Sequence, residues 1–138
     1  MEKLKNPASK KIRLFVAAAF FCALFFNENV MAQSKNQMVR IAMVQVDPLQ
    51  LDKYNEALKE QMTTAVRLEK GVLTYYAVAD KKEPSHITIL EIYADTAAYN
   101  AHIQTLHFKK YKDTVKDMVK SLELTDVDLI GIAKKPGL

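Results

Sequence analysis

The 138-residue sequence contains one cysteine, no tryptophan and only three glycines. Glycine occurs at positions 71, 131 and 137, so the chain has neither a glycine-rich phosphate loop nor a dinucleotide-binding fingerprint. The G-x-S-x-G nucleophile elbow is absent as well. These absences exclude the enzyme classes that depend on such motifs, and they leave histidines, carboxylates and tyrosines as the candidates for chemistry.

A basic stretch followed by an apolar run occupies the N-terminus. The apolar run covers residues 14–26 and is followed by polar residues and by the small residues Val30 and Ala32. This layout is typical of a secretory signal peptide that is cleaved after Ala32. We therefore expect residues 1–32 to be removed and the mature domain, residues 33–138, to be periplasmic or secreted.

A retained membrane anchor is the alternative interpretation of the same segment. A helix over residues 14–26, at about 1.5 Å per residue, spans roughly 20 Å, which is short of the ~30 Å hydrocarbon core. This length favours cleavage, so contact with the membrane is expected only through the leader during export. Cleavage would also remove Cys22, and the mature chain would then have no disulfide and no thiol nucleophile.

The net charge of +4 is concentrated in the leader. Residues 1–32 carry five basic and two acidic side chains, a balance of +3, which leaves 15 basic and 14 acidic side chains, or +1, for the rest. A nucleic-acid-binding protein needs a concentrated basic face to displace counterions from phosphates. The nearly neutral mature chain therefore predicts that no nucleic acid is a partner.

Hydrophobic periodicity predicts the order strand, helix, strand, strand, helix, strand. The predicted strands are residues 38–46, 72–80, 85–93 and 127–133; the predicted helices run from Asp47 to just before Gly71 and from Asp95 to Leu122, with a bend near His107. This order is that of the α+β ferredoxin-like βαββαβ fold, in which a four-stranded antiparallel sheet carries both helices on one face.

The first predicted strand is apolar on both faces. Its alternating sets are Val39, Ile41 and Met43 on one side and Ala42, Val44 and Val46 on the other. Since the helices cover only one face, the other is expected to pack on a second copy, giving a homodimeric α+β barrel. A monomer with an unusually apolar sheet is the alternative.

The histidines are few enough to consider one by one. In a regular helix His102 and His107 point about 140° apart, so they could not bind one metal ion, and no protein-ligated metal site is expected. His102 lies at the centre of the stripe predicted to face the sheet, flanked by Ala98 and Leu106. It is either a hydrogen-bonded core histidine or a buried neutral general base that needs no cofactor.

Glu91 and the tyrosines are the possible companions of His102. Glu91 is an ionisable group in the otherwise apolar run ITILEIY, and its burial is costly unless it is paired. A structural salt bridge or hydrogen bond is favoured over a catalytic role. The mature chain has six tyrosines but a single phenylalanine. A pocket lined by them would suit a flat ligand with polar edges.

The segments EKGVLTYYAVAD and ITILEIYADTAAYNAHIQTLHFKKY resemble the antibiotic biosynthesis monooxygenase family, including its small quinol monooxygenase-like members. The family shows an E-x-G-x-x-x-Y strand start followed by E-x-Y, A-x-x-x-H and H-F. The matching residues here are Glu69, Gly71, Tyr75, Glu91, Tyr93, Ala98, His102, His107 and Phe108. The resemblance covers about residues 38–134.

The resemblance implies a dimeric ferredoxin-like barrel that oxidises a quinol-like or hydroxyaromatic substrate with O₂ and without any cofactor. On this hypothesis His102 takes the hydroxyl proton and Tyr75 orients the ring, so that both are catalytic. The substrate-binding residues would be Tyr93, Glu91, Tyr99, Asn100, His107 and Phe108. The partners would be a second copy of the chain, a small aromatic substrate and O₂.

Other functions are compatible with the same residues. The haem-degrading branch of the superfamily relies on a tryptophan, which this chain lacks, so haem cleavage by that route is not expected. A noncatalytic periplasmic dimer that binds a small apolar ligand is one alternative, and a haem-binding dimer with a histidine axial ligand is a weaker one. Oxygen uptake would indicate the monooxygenase, and tight ligand binding without oxygen uptake would indicate the noncatalytic dimer. A Soret band after haem titration would indicate the haem-binding dimer.

Overall fold

The computed structural model describes residues 36–133 and 135, so the predicted leader and its cleavage site lie outside the described residues. The elements of this part are β1 (Met38–Val46), a 3₁₀ turn (Pro48–Gln50), α1 (Leu51–Leu68), β2 (Val72–Ala79), β3 (His86–Tyr93), α2 (Thr96–His102), α3 (Leu106–Val115) and β4 (Val119–Val127). None of the helices described is long and apolar enough to cross a membrane.

The strands form one antiparallel sheet in the order β2-β3-β1-β4. The two central strands, β1 and β3, are paired along their length, from Met38 opposite Tyr93 to Gln45 opposite His86. This sheet order together with the element order confirms the ferredoxin-like βαββαβ fold.

The main core lies between the sheet and α1. Tyr54 and Leu58 of α1 are buried against the alternate residues of β1 and β3 that point towards the helices. The buried members of this core are Ala42, Val44, Val46, Tyr54, Leu58, Ile87, Ile89 and Val115. Each large aliphatic side chain buried in this way contributes roughly 2 kcal/mol, so the core fixes α1 over the sheet.

The opposite face of the sheet remains partly exposed within one chain. Met43 and Val78 share this face, since both are register partners of Thr88, and their exposed fractions are 43% and 64%. Ile41 and Leu90 lie beside them and are half-buried. The apolar character of both faces of the sheet, inferred from the sequence, is thus present in the fold.

The C-terminal strand differs from the sequence prediction. The helix predicted to reach Leu122 ends at Val115, and the strand predicted at residues 127–133 lies instead at Val119–Val127, paired with β1. Spacings of three and four between apolar residues in this segment imitate a helix. The alternation of Leu122 and Leu124 is typical of a strand, and pairing with β1 fixes this segment as β4.

The second helical region breaks into two helices, slightly before the bend predicted near His107. Thr105 forms the corner: its Oγ1 donates to the carbonyl of His102 at 2.8 Å and accepts from the amide of Phe108 at 3.3 Å, which caps α3. The break also corrects the expected stripe around His102, because Leu106 is 87% exposed.

Gly71 lets α2 pack closely on the start of β2. A Cβ atom at this position would lie 2.5 Å from the Cβ of Ala98. The carbonyl of Gly71 also accepts from the amide of Ala94 at 2.9 Å, just before α2 begins. The absence of a side chain at Gly71 therefore sets the distance between His102 and the sheet.

Candidate functional site

A continuous series of hydrogen-bonded side chains runs between the helices and the sheet. Its members in order are Glu91, Tyr93, Tyr75, His102, Glu69, His107 and Gln61, which we call the polar network. The side chains come from β2, β3, α1 and its C-cap, and the two helices on either side of the corner. The fold therefore joins residues that are up to 46 positions apart in direct hydrogen bonds.

His102 is the fully buried centre of this network. Its Nε2 lies 2.9 Å from the hydroxyl of Tyr75, and its Nδ1 lies 2.8 Å from Oε1 of Glu69. Burial lowers the pKa of His102, although the bond to Glu69 acts in the opposite direction. A neutral imidazole that donates from Nδ1 to the carboxylate has Nε2 free to accept, and the one proton of Tyr75 goes either to this nitrogen or to the hydroxyl of Tyr93.

The tyrosines extend the network to a carboxyl group on the sheet. The hydroxyls of Tyr75 and Tyr93 lie 2.8 Å apart, and Tyr93 donates to Oε2 of Glu91 at 3.1 Å. Burial raises the pKa of both tyrosines, so they stay protonated, and burial also raises the pKa of Glu91. This end of the network can therefore pass protons between neutral hydroxyls without forming phenolates.

On the other side of His102, one carboxylate oxygen joins two imidazoles. Oε1 of Glu69 lies 2.8 Å from Nδ1 of His102 and 3.0 Å from Nε2 of His107. The helix break allows this convergence, whereas the 140° separation expected from the sequence applied to a regular helix. Nδ1 of His107 donates to Oε1 of Gln61 at 2.9 Å, while Nε2 of the buried Gln61 has no hydrogen-bond partner.

Aromatic rings enclose the network. The ring of Phe108 meets that of His102 edge to face, with centroids 4.8 Å apart, and Tyr99 meets Tyr93 in the same way at 5.4 Å. The guanidinium carbon of Arg40 lies 4.3 Å from the ring centroid of Tyr99. These contacts keep water from His102 and strengthen the hydrogen bonds around it.

The structure brings together most of the residues singled out from the sequence. His102, Tyr75, Tyr93, Glu91 and His107 are members of the polar network, and the two residues packed on it are Phe108 and Tyr99. Asn100 is exposed and lines a separate cleft with Arg40 and Asp126, so it does not join the network. The catalytic and substrate-binding roles of all eight residues stay predictions.

Two members of the network were not singled out as site residues from the sequence. Glu69 stands first in the E-x-G-x-x-x-Y pattern, which was a usable signal. Gln61 is three residues after Leu58 and four before Ala65, so it is a polar residue on the buried face of α1. A glutamine in an apolar stripe indicates a specific hydrogen-bond partner.

Of the clefts beside α1, two are each lined by a member of the network. The first is a cleft of about 400 Å³ lined by Met62, Thr63, Val66, Arg67 and Tyr75, which we call the Tyr75 cleft. The second lies between α1 and α3, is lined by Ala57, Glu60, Gln61, Thr64, His107, Lys110, Tyr111 and Thr114, and is called the His107 cleft. His102 lines neither cleft. It is connected to the first through its hydrogen bond to Tyr75 and to the second through Glu69, which is bonded to His107.

The arrangement of these side chains also bears on metal coordination. Across residues 36–133 and 135, no group of three or more His, Cys, Asp or Glu side chains is arranged to hold a metal ion. Glu69, His102 and His107 are instead bonded directly to one another. The chemistry that their geometry supports is proton transfer.

Fold and site together define a small ferredoxin-like α+β protein with a buried Tyr–His–Glu arrangement. The family model of the antibiotic biosynthesis monooxygenases matches residues 38–114, more than half of the chain. The chain belongs to the antibiotic biosynthesis monooxygenase family, which confirms the resemblance inferred from the sequence. Among curated proteins, no sequence matches the chain.

Solved structures agree with this membership. A candidate antibiotic biosynthesis monooxygenase from Bacteroides thetaiotaomicron is 52% identical, with 74% of this chain and 99% of that chain covered and a TM-score of 0.72. A candidate monooxygenase from Lactobacillus acidophilus is 30% identical over 66% of this chain and 43% of that chain, with a TM-score of 0.65. A candidate antibiotic biosynthesis monooxygenase from Nitrosomonas europaea shares the fold, with a TM-score of 0.65. It is 20% identical over 69% of this chain and 91% of that chain.

Proposed function

We propose that this protein is a cofactor-independent monooxygenase that oxidises a small quinol-like or other hydroxyaromatic substrate with O₂. The observation that carries the proposal is the contact of 2.9 Å between the Tyr75 hydroxyl and Nε2 of His102, whose Nδ1 is held by Glu69. This arrangement is a general base oriented by a carboxylate, and it can remove a proton from a hydroxyl group. Membership of the family supports oxygen as the second substrate.

Deprotonation makes the substrate itself the reductant. A hydroquinone anion gives one electron to O₂, and the radical pair combines to a peroxide at a ring carbon. The peroxide takes up a proton, and loss of the proton on that ring carbon then breaks the O–O bond and releases water. The sum is hydroquinone plus O₂ giving hydroxyquinone plus water, so one oxygen atom enters the product and the substrate supplies all the electrons. The protein's part is to bind the ring, move the proton and exclude water.

The Tyr75 cleft is where we place the substrate. Met62 and Val66 offer apolar contacts to a ring, and Thr63 and Arg67 offer hydrogen bonds to its polar edges. Because His102 is fully buried, the substrate hydroxyl meets Tyr75 rather than the imidazole. Tyr75 accepts the substrate proton while its own proton passes to Nε2 of His102, so His102 acts as the base through Tyr75.

The test is oxygen uptake with a panel of hydroquinones and naphthohydroquinones, under ¹⁸O₂, with the product analysed by mass spectrometry. Wild-type protein should place one labelled oxygen in the product, and His102→Ala should lose turnover. His86→Ala is the matched control, because His86 is half-exposed at the start of β3 and pairs with Glu83 outside the network. Full turnover by His102→Ala, or oxygen uptake without label in the product, would contradict the proposal.

A noncatalytic module that binds a small apolar ligand is the second candidate. The observation that favours it is the same burial: both ring nitrogens of His102 are bonded within the protein, and His102 lines neither cleft. A structural histidine would look the same in the absence of ligand. Tight binding of an aromatic ligand without any substrate-dependent oxygen uptake would decide for this candidate, and a Soret band on haem titration would indicate a haem-binding protein instead.

We further propose that the working unit is an exported homodimer. The exposed apolar side chains of Met43 and Val78, with Ile41 and Leu90 beside them, form a surface that a second sheet of the same kind would cover. The leader supports export, and N-terminal sequencing of the protein recovered from cells tests whether the mature chain begins at Gln33. A sedimentation mass of one chain at micromolar concentration would contradict the dimer.

A further inference from the structure

Protonation of His102 raises a problem of charge. The imidazole is fully buried and packed against Phe108, so a proton arriving from Tyr75 would leave a new positive charge where water cannot solvate it. Glu69 offsets part of this charge, but its Oε1 already faces His107 as well. A route that removes a proton elsewhere would keep the charge of the site constant.

The polar network continues past His102 to the surface. Oε1 of Glu69 is within hydrogen-bond distance of both imidazoles, at 2.8 Å and 3.0 Å. The side chain of His107 is 22% exposed and lines the His107 cleft, whereas that of His102 is 0% exposed. His107 is therefore the member of the histidine pair that can exchange protons with solvent.

We propose that His107 is the solvent-side end of a proton relay that runs from Tyr75 through His102 and Glu69 and releases the substrate's hydroxyl proton into the His107 cleft. The inference rests on the proposed proton transfer at Tyr75, and it adds roles for Glu69 and His107 in that step. The substrate binds on one side of α1 and the proton is released on the other, because the Tyr75 and His107 clefts flank that helix.

The proton count balances along the relay. The substrate O–H bond breaks as a bond to the Tyr75 oxygen forms, and the original Tyr75 proton moves to Nε2 of His102. The Nδ1 proton of His102 moves to Oε1 of Glu69 and on to Nε2 of His107. The Nδ1–H bond of His107 then breaks as that nitrogen gives its proton to a water of the cleft that replaces Oε1 of Gln61. One proton enters and one leaves, so the network keeps its charge, and no electrons move.

Gln61 fixes the direction of the last step. Its Oε1 accepts from Nδ1 of His107, which leaves Nε2 of His107 as the nitrogen that faces Glu69. The neighbouring charged groups of the cleft, Lys110 and Glu60, are bonded to each other at 2.8 Å. Gln61 is thus a positioning residue for His107, and the cleft provides the water that receives the proton.

The test measures proton release without oxygen. Naphthohydroquinone is mixed anaerobically with the protein in weak buffer containing a pH indicator dye, and one proton per site is expected. His107→Ala should slow this release about tenfold or more, and imidazole buffer should restore it, since a small diffusible base can replace the missing side chain. His86→Ala, which removes a histidine outside the network, should release protons at the wild-type rate.

Each result has a defined meaning. Release at the wild-type rate by His107→Ala, or oxygen uptake by a wild-type protein that releases no proton, overturns the relay while leaving the proposed function intact. Proton release without label incorporation under ¹⁸O₂ supports the relay and overturns the monooxygenase. A folding defect in His107→Ala does not obscure the answer, because ¹⁵N spectra of wild-type histidines provide a second measurement: a resting proton on Nε2 of His102 overturns the relay, and one on Nδ1 supports it.

Discussion

The hydroxyl of Tyr75 lies 2.9 Å from Nε2 of His102. This contact connects Tyr75, which lines a cleft, to a histidine that is fully buried. Tyr75 also lies 2.8 Å from the hydroxyl of Tyr93, so it is the branch point between Glu91 and the histidines. The phenol oxygen of Tyr75 therefore decides whether a proton from the cleft can reach His102.

Removal of that oxygen should abolish proton transfer but not binding. Tyr75→Phe is expected to lower kcat for hydroquinone oxidation about a hundredfold or more while KM changes little, because the ring remains and the relay is lost. Tyr76→Phe is the matched control, since the neighbouring side chain points to the opposite face of the sheet. Equal kcat values for the two variants would contradict a role for Tyr75 in the transfer.

Glu91 should make the stability of the protein depend on pH. Burial raises the pKa of Glu91 above its usual 4.5, so the native state binds its proton more tightly than the unfolded state. Its stabilising contribution is complete below about pH 4.5 and is lost as the pH rises through the pKa of the folded state.

Glu91→Gln, which cannot titrate, should therefore gain stability relative to wild type as the pH rises. Urea unfolding of both proteins at several pH values between about 4 and 8 measures this difference. Glu56→Gln, at an exposed position on α1, controls for the change in net charge. A constant difference between wild type and Glu91→Gln across the range would show that the Glu91 pKa is not raised.

Gly71→Ala should destabilise the fold and the site together. The new Cβ would lie 2.5 Å from that of Ala98, so α2 must move away from β2, at a cost of about 1–3 kcal/mol. Gly131→Ala is the control, because a Cβ atom added at that position would meet nothing within 4 Å. Thermal or urea unfolding measures the cost, and the double variant Gly71→Ala, Ala98→Gly should recover part of it.

The proposed dimer interface can be tested with one charge. Val78→Lys places an ammonium group on the apolar face of the sheet and should weaken the dimer about a hundredfold or more, since the charge would be buried without a partner. Leu106→Lys changes a residue that is 87% exposed on α3 and should leave the mass unchanged. Sedimentation equilibrium of the two variants gives the comparison; an intact Val78→Lys dimer would place the interface elsewhere.

Much of the fold follows from local patterns. Asp47 and Asp95 accept hydrogen bonds from the amides of Leu49 and Ala98, as expected of capping residues, and runs of β-favouring residues located the first three strands. The last strand was misplaced because β4 is an edge strand whose residues are mostly exposed, so its apolar spacing carries little information. Its pairing with β1, distant in sequence, determines its position.

The site was predictable only in part for a similar reason. The position of His102 on the sheet-facing side of its helix predicted that it is buried. Alternation along the strands predicted that Glu91 and Tyr93 share one face of β3 and that Tyr75 lies on one face of β2. The sharing of Glu69 by two histidines depends on the corner between α2 and α3, which Thr105 creates through two hydrogen bonds. Regular-helix geometry contains no information about such a break.

The corner held by Thr105 has an evolutionary consequence. Insertion or deletion of one residue between His102 and His107 would change the length of this corner and move the second imidazole away from Glu69. Substitutions at the exposed Gln104 leave that spacing intact. Relatives that keep both histidines in contact with one carboxylate should therefore vary in the composition of this segment but not in its length.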